Sequence, residues 1–190
     1  YKRQEKGKEI MRIIAGKHRG RPLAQFRGED VRPTSDRAKE SLFQILSARL
    51  PGARVLDLFC GSGALGLESL SRGAREAVFN DISRDSLAIC KKNLAALGEH
   101  GTVYNLDFRA CLARAEGTFD IVFADPPYAM DVCAETLALI ARRGLLDAEG
   151  VVVWESEREE RAPAGWQIAD RRSYGRAKVF FFVRADGGQA

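Results

Sequence analysis

The chain has 190 residues, 45% of them hydrophobic and 29% charged, with a formal net charge of +4. This length and apolar content predict one domain with a sizeable core. No apolar run is long enough to cross a membrane, and the charged first ten residues lack the apolar segment of a secretory signal peptide.

The four cysteines are far apart in the sequence and form no CxxC pair, and the chain has only two histidines. These residues leave little material for a zinc site or for a histidine-based catalytic triad. We therefore expect reduced thiols, no bound metal and a cytoplasmic protein.

Positive charge is concentrated in the first quarter of the chain. Residues 1–49 carry 13 Lys and Arg against 6 Asp and Glu, whereas residues 50–190 carry 17 against 20. We expect residues 1–10 to be a tag or upstream sequence ahead of a start at Met11, but residues 11–49 still carry 9 against 4. This asymmetry suggests that a polyanion binds at one end, although a solvated basic tail would have the same composition.

The first predicted element is a basic β-hairpin within residues 11–30, with Gly16 and Gly20 flanking its turn. Lys17, Arg19 and Arg21 lie in or beside this turn. They could contact nucleic-acid phosphates, a contact that demands charge more than shape. A solvated loop is an equally good interpretation of these three residues.

The main body is expected over residues 31–184, with a tail at 185–190. Its first helix is predicted over 36–49, after three competent N-caps at residues 34–36. Strands are then predicted at 54–59, 76–80, 102–106, 119–124, 150–155, 166–172 and 178–183, with helices at 64–71, 83–97, just after 107 and 132–143. This alternation, closed by a hairpin, predicts a parallel α/β sheet with an antiparallel strand added at its end.

A glycine-rich loop, Gly61-Ser62-Gly63-Ala64-Leu65-Gly66, follows the first strand and opens a helix. Asp81 lies at the end of the next predicted strand, where it could hold the hydroxyls of a ribose. NAD and S-adenosylmethionine (AdoMet) both contain an adenosine ribose, so these residues do not distinguish the two cofactors.

Asp57, four residues before Gly61, does favour one of them. A carboxylate is poorly placed beside a pyrophosphate, but it suits the ammonium of an amino acid. The glycines would let backbone N–H groups approach the carboxylate of the same amino acid. Asp107 ends the third predicted strand, where an adenine amino group would be reached. These positions favour AdoMet.

The apolar fourth strand is followed by Asp125-Pro126-Pro127-Tyr128. The prolines restrict the backbone, so the Asp125 carboxylate and the Pro126 carbonyl are two acceptors with little freedom. Two fixed acceptors suit a planar amino group, and Tyr128 offers a face on which a base could stack. A plain proline turn with a capping Asp is the alternative interpretation.

Together these motifs resemble class I AdoMet-dependent methyltransferases that act on an amino nitrogen. Residues 11–17, Arg32-Pro33-Thr34, residues 36–41 and Tyr174-Gly175 are similar to the bacterial RsmD-type enzymes, which methylate guanine N2 in small-subunit ribosomal RNA. The resemblance runs from Met11 to about Val183. It implies a Rossmann-like class I methyltransferase sheet, mostly parallel with one antiparallel strand, with helices on both faces and a small N-terminal β-hairpin extension.

The resemblance also implies AdoMet as cofactor, no metal, and a monomer acting on 16S ribosomal RNA, free or within an assembling small subunit. It implies cofactor contacts at the strand ends, by Asp57, Phe59, Gly61, Gly63, Asp81, Ile82, Asp107 and Phe108. It implies catalytic roles for Asp125, Pro126 and Tyr128. Contacts with RNA would be made by Lys17, Arg19, Arg21, Arg32, Thr34, Tyr174 and Arg176.

Three other functions remain open on the sequence. An adenine-N6 methyltransferase of DNA or RNA would use the same Asp-Pro-Pro-Tyr motif, but the chain has little room for a separate target-recognition domain. A catalytically inactive nucleic-acid-binding protein of the same fold is the second, although intact Asp57, Asp81 and Asp125 argue against it. An NAD-dependent oxidoreductase is a weaker third.

Overall fold

The computed structural model describes residues 11–26, 34–127 and 129–185, without the side chains of residues 34–36. Its helices are α1 (Thr34–Ile45), α2 (Ala64–Ser71), α3 (Arg84–Leu97), α4 (Phe108–Arg114) and α5 (Cys133–Arg143). Its strands are β1 (Arg54–Asp57), β2 (Glu76–Asn80), β3 (Thr102–Tyr104), β4 (Phe119–Ala124), β5 (Leu146–Ser156), β6 (Trp166–Tyr174) and β7 (Ala177–Arg184).

The seven strands form one sheet in the order β3-β2-β1-β4-β5-β7-β6. Neighbouring strands from β3 to β5 pair in parallel, and β7 pairs antiparallel with both β5 and β6. One strand therefore runs against the other six, which confirms the predicted mostly parallel sheet. The parallel strands all end at the same side, which we call the C-terminal edge.

Two apolar cores cover the two faces of the sheet. One contains buried residues of α1, α2 and α3, including Phe43, Leu67 and Leu94. The other contains buried residues of α4 and α5, such as Leu112 and Leu137. Strand residues alternate between the two cores because successive side chains point to opposite faces. The prediction of helices on both faces is confirmed.

Element boundaries differ from the predicted ones at a few places. Helix α1 begins two residues earlier and ends at Ile45, with hydrogen-bonded turns continuing to Leu50. Strand β5 extends back to Leu146, and its pairing with β4 contains a register shift. Helix α3 begins one residue later than predicted because Ser83 is its N-cap, and the Ser83 hydroxyl accepts the N–H of Ser86.

Residues 11–26 of the predicted N-terminal segment fold back as predicted, but they do not form a regular hairpin, and residues 27–30 lie outside the described residues. A single antiparallel bridge joins Arg12 to Pro22, and Gly16 and Gly20 have φ angles of 85° and 82° in the turn. The backbone N–H groups of Ile14 and Ala15 donate to a helix side chain, Glu68, and not across a strand pair. These two donors are therefore used to attach the segment to the body.

All four cysteines are free and buried. None of the helices in the described part of the chain is long and apolar enough to span a lipid bilayer.

Candidate active site

The glycine-rich loop connects β1 to α2 at the C-terminal edge of the sheet. Gly61 and Gly63 have φ angles of 52° and 83°, in the left-handed region that favours glycine. A Cβ at Gly63 would lie 2.7 Å from Cys90 Sγ, whereas a Cβ at Gly61 would meet nothing within 4 Å. Gly63 therefore meets a packing demand as well, while Gly61 faces open space where a ligand could approach the backbone.

The third glycine of the loop, Gly66, lets α2 lie directly on the sheet. A Cβ there would come within 2.3 Å of the Phe79 ring. The N–H of Gly66 donates to Asp57 Oδ2 at 3.0 Å, so the carboxylate at the end of β1 also holds the first turn of α2.

Asp57 is the buried carboxylate of this site, with 3% of its surface exposed. Loss of hydration raises its pKa to about 7, the Gly66 hydrogen bond acts in the opposite direction, and the negative charge of Asp81 raises the pKa further. No cation is recorded beside Asp57 among the described residues, so a ligand with a positive group would meet an unneutralised carboxyl here.

Asp81 follows β2 and holds two backbone turns together. Its Oδ2 accepts the N–H of Gly61 at 2.9 Å, and its Oδ1 accepts the N–H of Ser83 at 2.8 Å. Beside it, Asn105 donates to the carbonyls of Asp81 and Ile82 at 2.9 Å each. Ile82 is 73% exposed, and no other large apolar side chain in the described residues is so open. An apolar face is thus presented next to the glycine-rich loop.

Asp107 is the N-cap of α4, and its Oδ1 accepts the N–H of Arg109 at 2.9 Å. Phe108 and Phe59 meet beneath it, with ring centroids 5.8 Å apart. The Phe108 side chain is 2% exposed and belongs to the core. Phe108 was predicted to contact the cofactor, but with a buried side chain it could reach a ligand only through its main chain.

Asn80 lies at the centre of this edge, and sequence reasoning missed it. Its Nδ2 donates to the carbonyls of Leu58 and Leu106 at 3.0 and 3.1 Å, which ties the ends of β1 and β3 to β2. Its Oδ1 is buried and accepts no hydrogen bond from the described residues. The sequence did carry a signal for Asn80, because it is a polar residue at the end of an apolar strand and directly precedes Asp81.

The Asp-Pro-Pro run follows β4 at the same edge. Pro126 is buried, whereas the Asp125 side chain keeps contact with solvent. Surrounding protein atoms displace part of its hydration and raise the pKa of Asp125 well above its ordinary value, and the charges of Glu155 and Asp57 add to this. Tyr128 lies outside the described residues, so its predicted stacking role stays a prediction.

A small, open cleft lies beside Asp125 on the face covered by α1 and α2. It is lined by Leu42, Leu65, Phe123, Ala124, Asp125, Val153, Glu155 and Val179. Sequence reasoning missed Glu155, although it ends an apolar strand just as Asp57 and Asp125 do.

The predicted RNA contacts fall into two groups. Tyr174 ends β6 and Arg176 lies in the turn to β7, and this turn is at the C-terminal edge because β6 runs in the same direction as the parallel strands. Arg176 is exposed, whereas the Tyr174 hydroxyl donates to Ser41 Oγ at 2.8 Å and fixes the turn against α1. Arg32 lies outside the described residues, and Thr34 begins α1 without a described side chain.

The second group, in the basic turn, lies beside the C-terminal ends of α2 and α3. The N–H of Lys17 donates to the carbonyl of Ser71, the last residue of α2. Lys17 Nζ is 2.7 Å from Glu99, and Arg21 donates to the carbonyl of Ala96 at 2.7 Å. Helix α2 starts at the glycine-rich loop, so its eight residues place the basic turn about 12 Å from that loop along the helix axis.

Arg19 is the exposed basic residue of this turn whose guanidinium has no recorded polar partner among the described residues. Two of the three predicted phosphate contacts are thus engaged within the protein, and one is fully available. The described residues contain no group of three or more His, Cys, Asp or Glu arranged to hold a metal ion.

The molecule is similar to known proteins over nearly its whole length. The family model described as Conserved hypothetical protein 95 matches residues 11–183. The chain is 36% identical over 188 residues to Ribosomal RNA small subunit methyltransferase D of Escherichia coli, with 97% of this chain and 95% of that protein covered. It is 39% identical over 158 residues to YlbH of Bacillus subtilis, with 80% and 86% covered.

A solved structure of the Escherichia coli protein yhhF superposes with a TM-score of 0.83 at 37% identity, over 93% of this chain and 98% of that one. This similarity confirms the class I methyltransferase fold that the motifs predicted. The sheet order, the glycine-rich loop and the Asp-Pro-Pro run of this chain agree with the same assignment. The chain therefore belongs to the Conserved hypothetical protein 95 family, the RsmD-type methyltransferases.

Proposed function

We propose that this protein transfers a methyl group from AdoMet to the exocyclic N2 amine of a guanine in 16S ribosomal RNA. The observation that supports this proposal is the pair of hydrogen-bond acceptors after β4. Among the described residues, no hydrogen bond reaches the Asp125 carboxylate or the Pro126 carbonyl, so both are available to an amino group. Fixed acceptors of this kind are what an amine needs in order to be aligned.

The residues at the strand ends fit AdoMet. Asp57 would pair with its ammonium, which supplies the positive charge that this buried carboxyl lacks. Asp81 would hold the ribose hydroxyls, Ile82 would pack on the adenine, and Asp107 would accept from the adenine amino group. The open space above Gly61 gives the backbone access to the carboxylate end. When bound, AdoMet supplies a methyl group on a sulfonium, which is an activated donor.

The protein's own task is to prepare the amine. The lone pair of an exocyclic guanine amine is delocalised into the ring, which makes the amine a poor nucleophile. Two hydrogen bonds, from the amine to Asp125 and to the Pro126 carbonyl, favour a more tetrahedral nitrogen with its lone pair aimed at the methyl group. Methyl transfer leaves a positively charged nitrogen, whose acidic proton passes readily to Asp125 or to water, so Asp125 does not need to be a strong base.

Ribosomal RNA is the proposed substrate because the Escherichia coli relative, 36% identical over almost the full length, is named for small-subunit ribosomal RNA methylation. On this chain, Arg176 at the C-terminal edge and Arg19 in the basic turn are exposed cations available to phosphates. The N-terminal segment, residues 11–30, would then extend the RNA-contacting surface beyond the catalytic edge.

The decisive experiment is transfer of radiolabelled methyl groups from AdoMet to ribosomal RNA isolated from cells that lack this protein. Labelled RNA is digested to nucleosides and compared with N2-methylguanosine and N6-methyladenosine standards. We expect label in N2-methylguanosine from small-subunit RNA. Label in N6-methyladenosine would instead support the adenine enzyme, and AdoMet binding without any transfer would support an inactive binding protein.

A further inference from the structure

Glu155 is a neighbour of Asp125 in the sheet, one strand away. Because Ala124 pairs with Trp154 in parallel register, Asp125 and Glu155 are the next residues on two adjacent strands. Side chains at matching positions of parallel strands point to the same face. Both carboxylates line the same cleft beneath α1 and α2.

The other walls of this cleft are apolar. The lining side chains besides the two carboxylates are Leu42, Leu65, Phe123, Ala124, Val153 and Val179. Apolar walls with a few convergent polar groups are typical of small-molecule binding sites, in which the polar groups fix the orientation of the ligand. The polar groups here are hydrogen-bond acceptors in their ionised form, so they suit a ligand edge that offers donors.

Glu155 also lacks a partner of its own. Its side chain is half-buried, and the described residues provide it with no hydrogen bond or ion pair. Loss of hydration raises its pKa. Nearby Glu159, in contrast, is exposed and pairs with Lys178 at 3.1 Å. A carboxylate that is partly removed from water without a donor is destabilising, and a ligand that brings a donor would relieve this cost.

We propose that Glu155 is a specificity residue, whose carboxylate accepts the N1–H of the guanine that presents its N2 amine to Asp125. This inference rests on the proposed function. The Watson–Crick edge of guanine carries N1–H and the N2 amine side by side, which matches two carboxylates on adjacent strands. Adenine has an acceptor at N1 and would face Glu155 without a hydrogen bond, so the residue selects guanine.

The test replaces the target guanine, located by mass spectrometry of RNA fragments, with 2-aminopurine. This base keeps the 2-amine but has no hydrogen on N1. We expect wild-type kcat/KM to be about 100-fold lower on 2-aminopurine RNA than on guanine RNA, because an unpaired acceptor is left in the site. Glu155→Gln should have an about tenfold lower kcat/KM on guanine RNA. Its ratio of kcat/KM between guanine RNA and 2-aminopurine RNA should also fall about tenfold, since the Gln amide can donate to the unprotonated N1.

Glu157→Gln is the matched control, because it removes the same charge from an exposed residue two positions away. It should keep wild-type rate and preference. Glu155→Asp is the second variant: it keeps the charge but shortens the side chain, and should narrow the preference in the same direction. Thermal unfolding of each variant confirms that it is folded.

Three outcomes would overturn the inference. Glu155→Gln and Glu155→Asp with wild-type preference would remove Glu155 from recognition and leave the proposed function intact. A large loss of AdoMet affinity in Glu155→Gln, measured by calorimetry, would reassign the residue to the cofactor. A wild-type protein that methylates no guanine would overturn both the proposed function and the role of Glu155.

Discussion

Asp57 Oδ2 and the N–H of Gly66 are joined by a hydrogen bond of 3.0 Å, between the last residue of β1 and the first turns of α2. The same carboxyl is buried, and its pKa is raised to about 7. Its ordinary value is 3.8, so the folded protein holds this proton more tightly than the unfolded chain does. The contribution of the protonated Asp57 carboxyl to folding stability is therefore fully present below about pH 4 and is lost as pH rises through about 7.

Asp57→Asn should stabilise the ligand-free protein at pH 8, because the amide keeps an acceptor for Gly66 without the buried charge. A pKa shift of about three units corresponds to a gain of up to about 4 kcal/mol. The gain should shrink as pH is lowered to 5. Urea denaturation at pH 8, 6.5 and 5 measures it, with Asp131→Asn, an exposed site, as the control.

If Asp57→Asn destabilises the protein equally at every pH, burial of the ionised Asp57 carboxylate does not destabilise the ligand-free protein. Under the proposed function, the same variant should bind AdoMet more weakly, because the partner of the ammonium is gone. The position would then sacrifice stability of the ligand-free protein for cofactor affinity.

Glu68 is the residue that joins the N-terminal segment to the body. It is fully buried, and it accepts from the N–H groups of Ile14 and Ala15 at 2.8 and 3.0 Å. Arg72 lies at 2.7 Å and Lys39 at 3.4 Å. Breaking such a buried network leaves charges and donors without partners.

Glu68→Gln should therefore cost about 3 kcal/mol of unfolding free energy. Glu76→Gln is the matched control: Glu76 pairs with Arg54 at 2.9 Å, but its side chain is 41% exposed. That variant should cost less than about 1 kcal/mol. Urea denaturation compares the two, and similar costs would contradict the assigned role of Glu68 as the attachment point.

Asp125→Ala should abolish methyl transfer and largely spare AdoMet affinity, because this carboxylate is assigned to the target amine. An interaction made mainly in the transition state lowers turnover when lost, with little change in cofactor binding. Asp125→Asn keeps one acceptor and should retain more turnover than the alanine variant. If Asp125→Ala keeps more than a tenth of wild-type turnover, a loss below about 1.4 kcal/mol, the assigned role is wrong.

The basic turn offers a test of RNA binding through its salt dependence. Arg19→Gln should flatten the slope of log affinity against log salt by about one unit if its guanidinium meets a phosphate. Neutralising Lys17, Arg19 and Arg21 together should flatten it by roughly 2–3 units if Lys17 and Arg21 exchange their internal partners for phosphates. Because Lys17 and Arg21 have internal partners, the triple variant should also be less stable.

Arg142→Gln, an exposed position on α5, is the control for Arg19→Gln. An unchanged slope in both Arg19→Gln and the triple variant would mean that the turn only attaches to the body. The prediction of an RNA clamp at residues 17–21 would then be abandoned.

The positions of the strand-end residues could be predicted from the sequence because they depend on local patterns. An apolar run followed by Asp57, Asp81, Asp107 or Asp125 predicts a strand that ends in a polar residue, and parallel strands end at one edge. The glycines of the loop are similarly local, since Gly61 and Gly63 need positive φ angles. These features required no knowledge of which strands are neighbours.

Other features were decided only by tertiary structure, because they join residues far apart in the chain. The attachment of Ile14 to Glu68 spans 54 residues, and no local pattern predicts that a buried helix carboxylate replaces the cross-strand acceptor of a hairpin. The cleft is also non-local: Glu155 reaches Asp125 only because β5 pairs with β4, and Val179 closes it because β7 returns antiparallel beside β5. Sequence alone determined which residues stand at the strand ends, and the pairing of the strands decided which of them share a site.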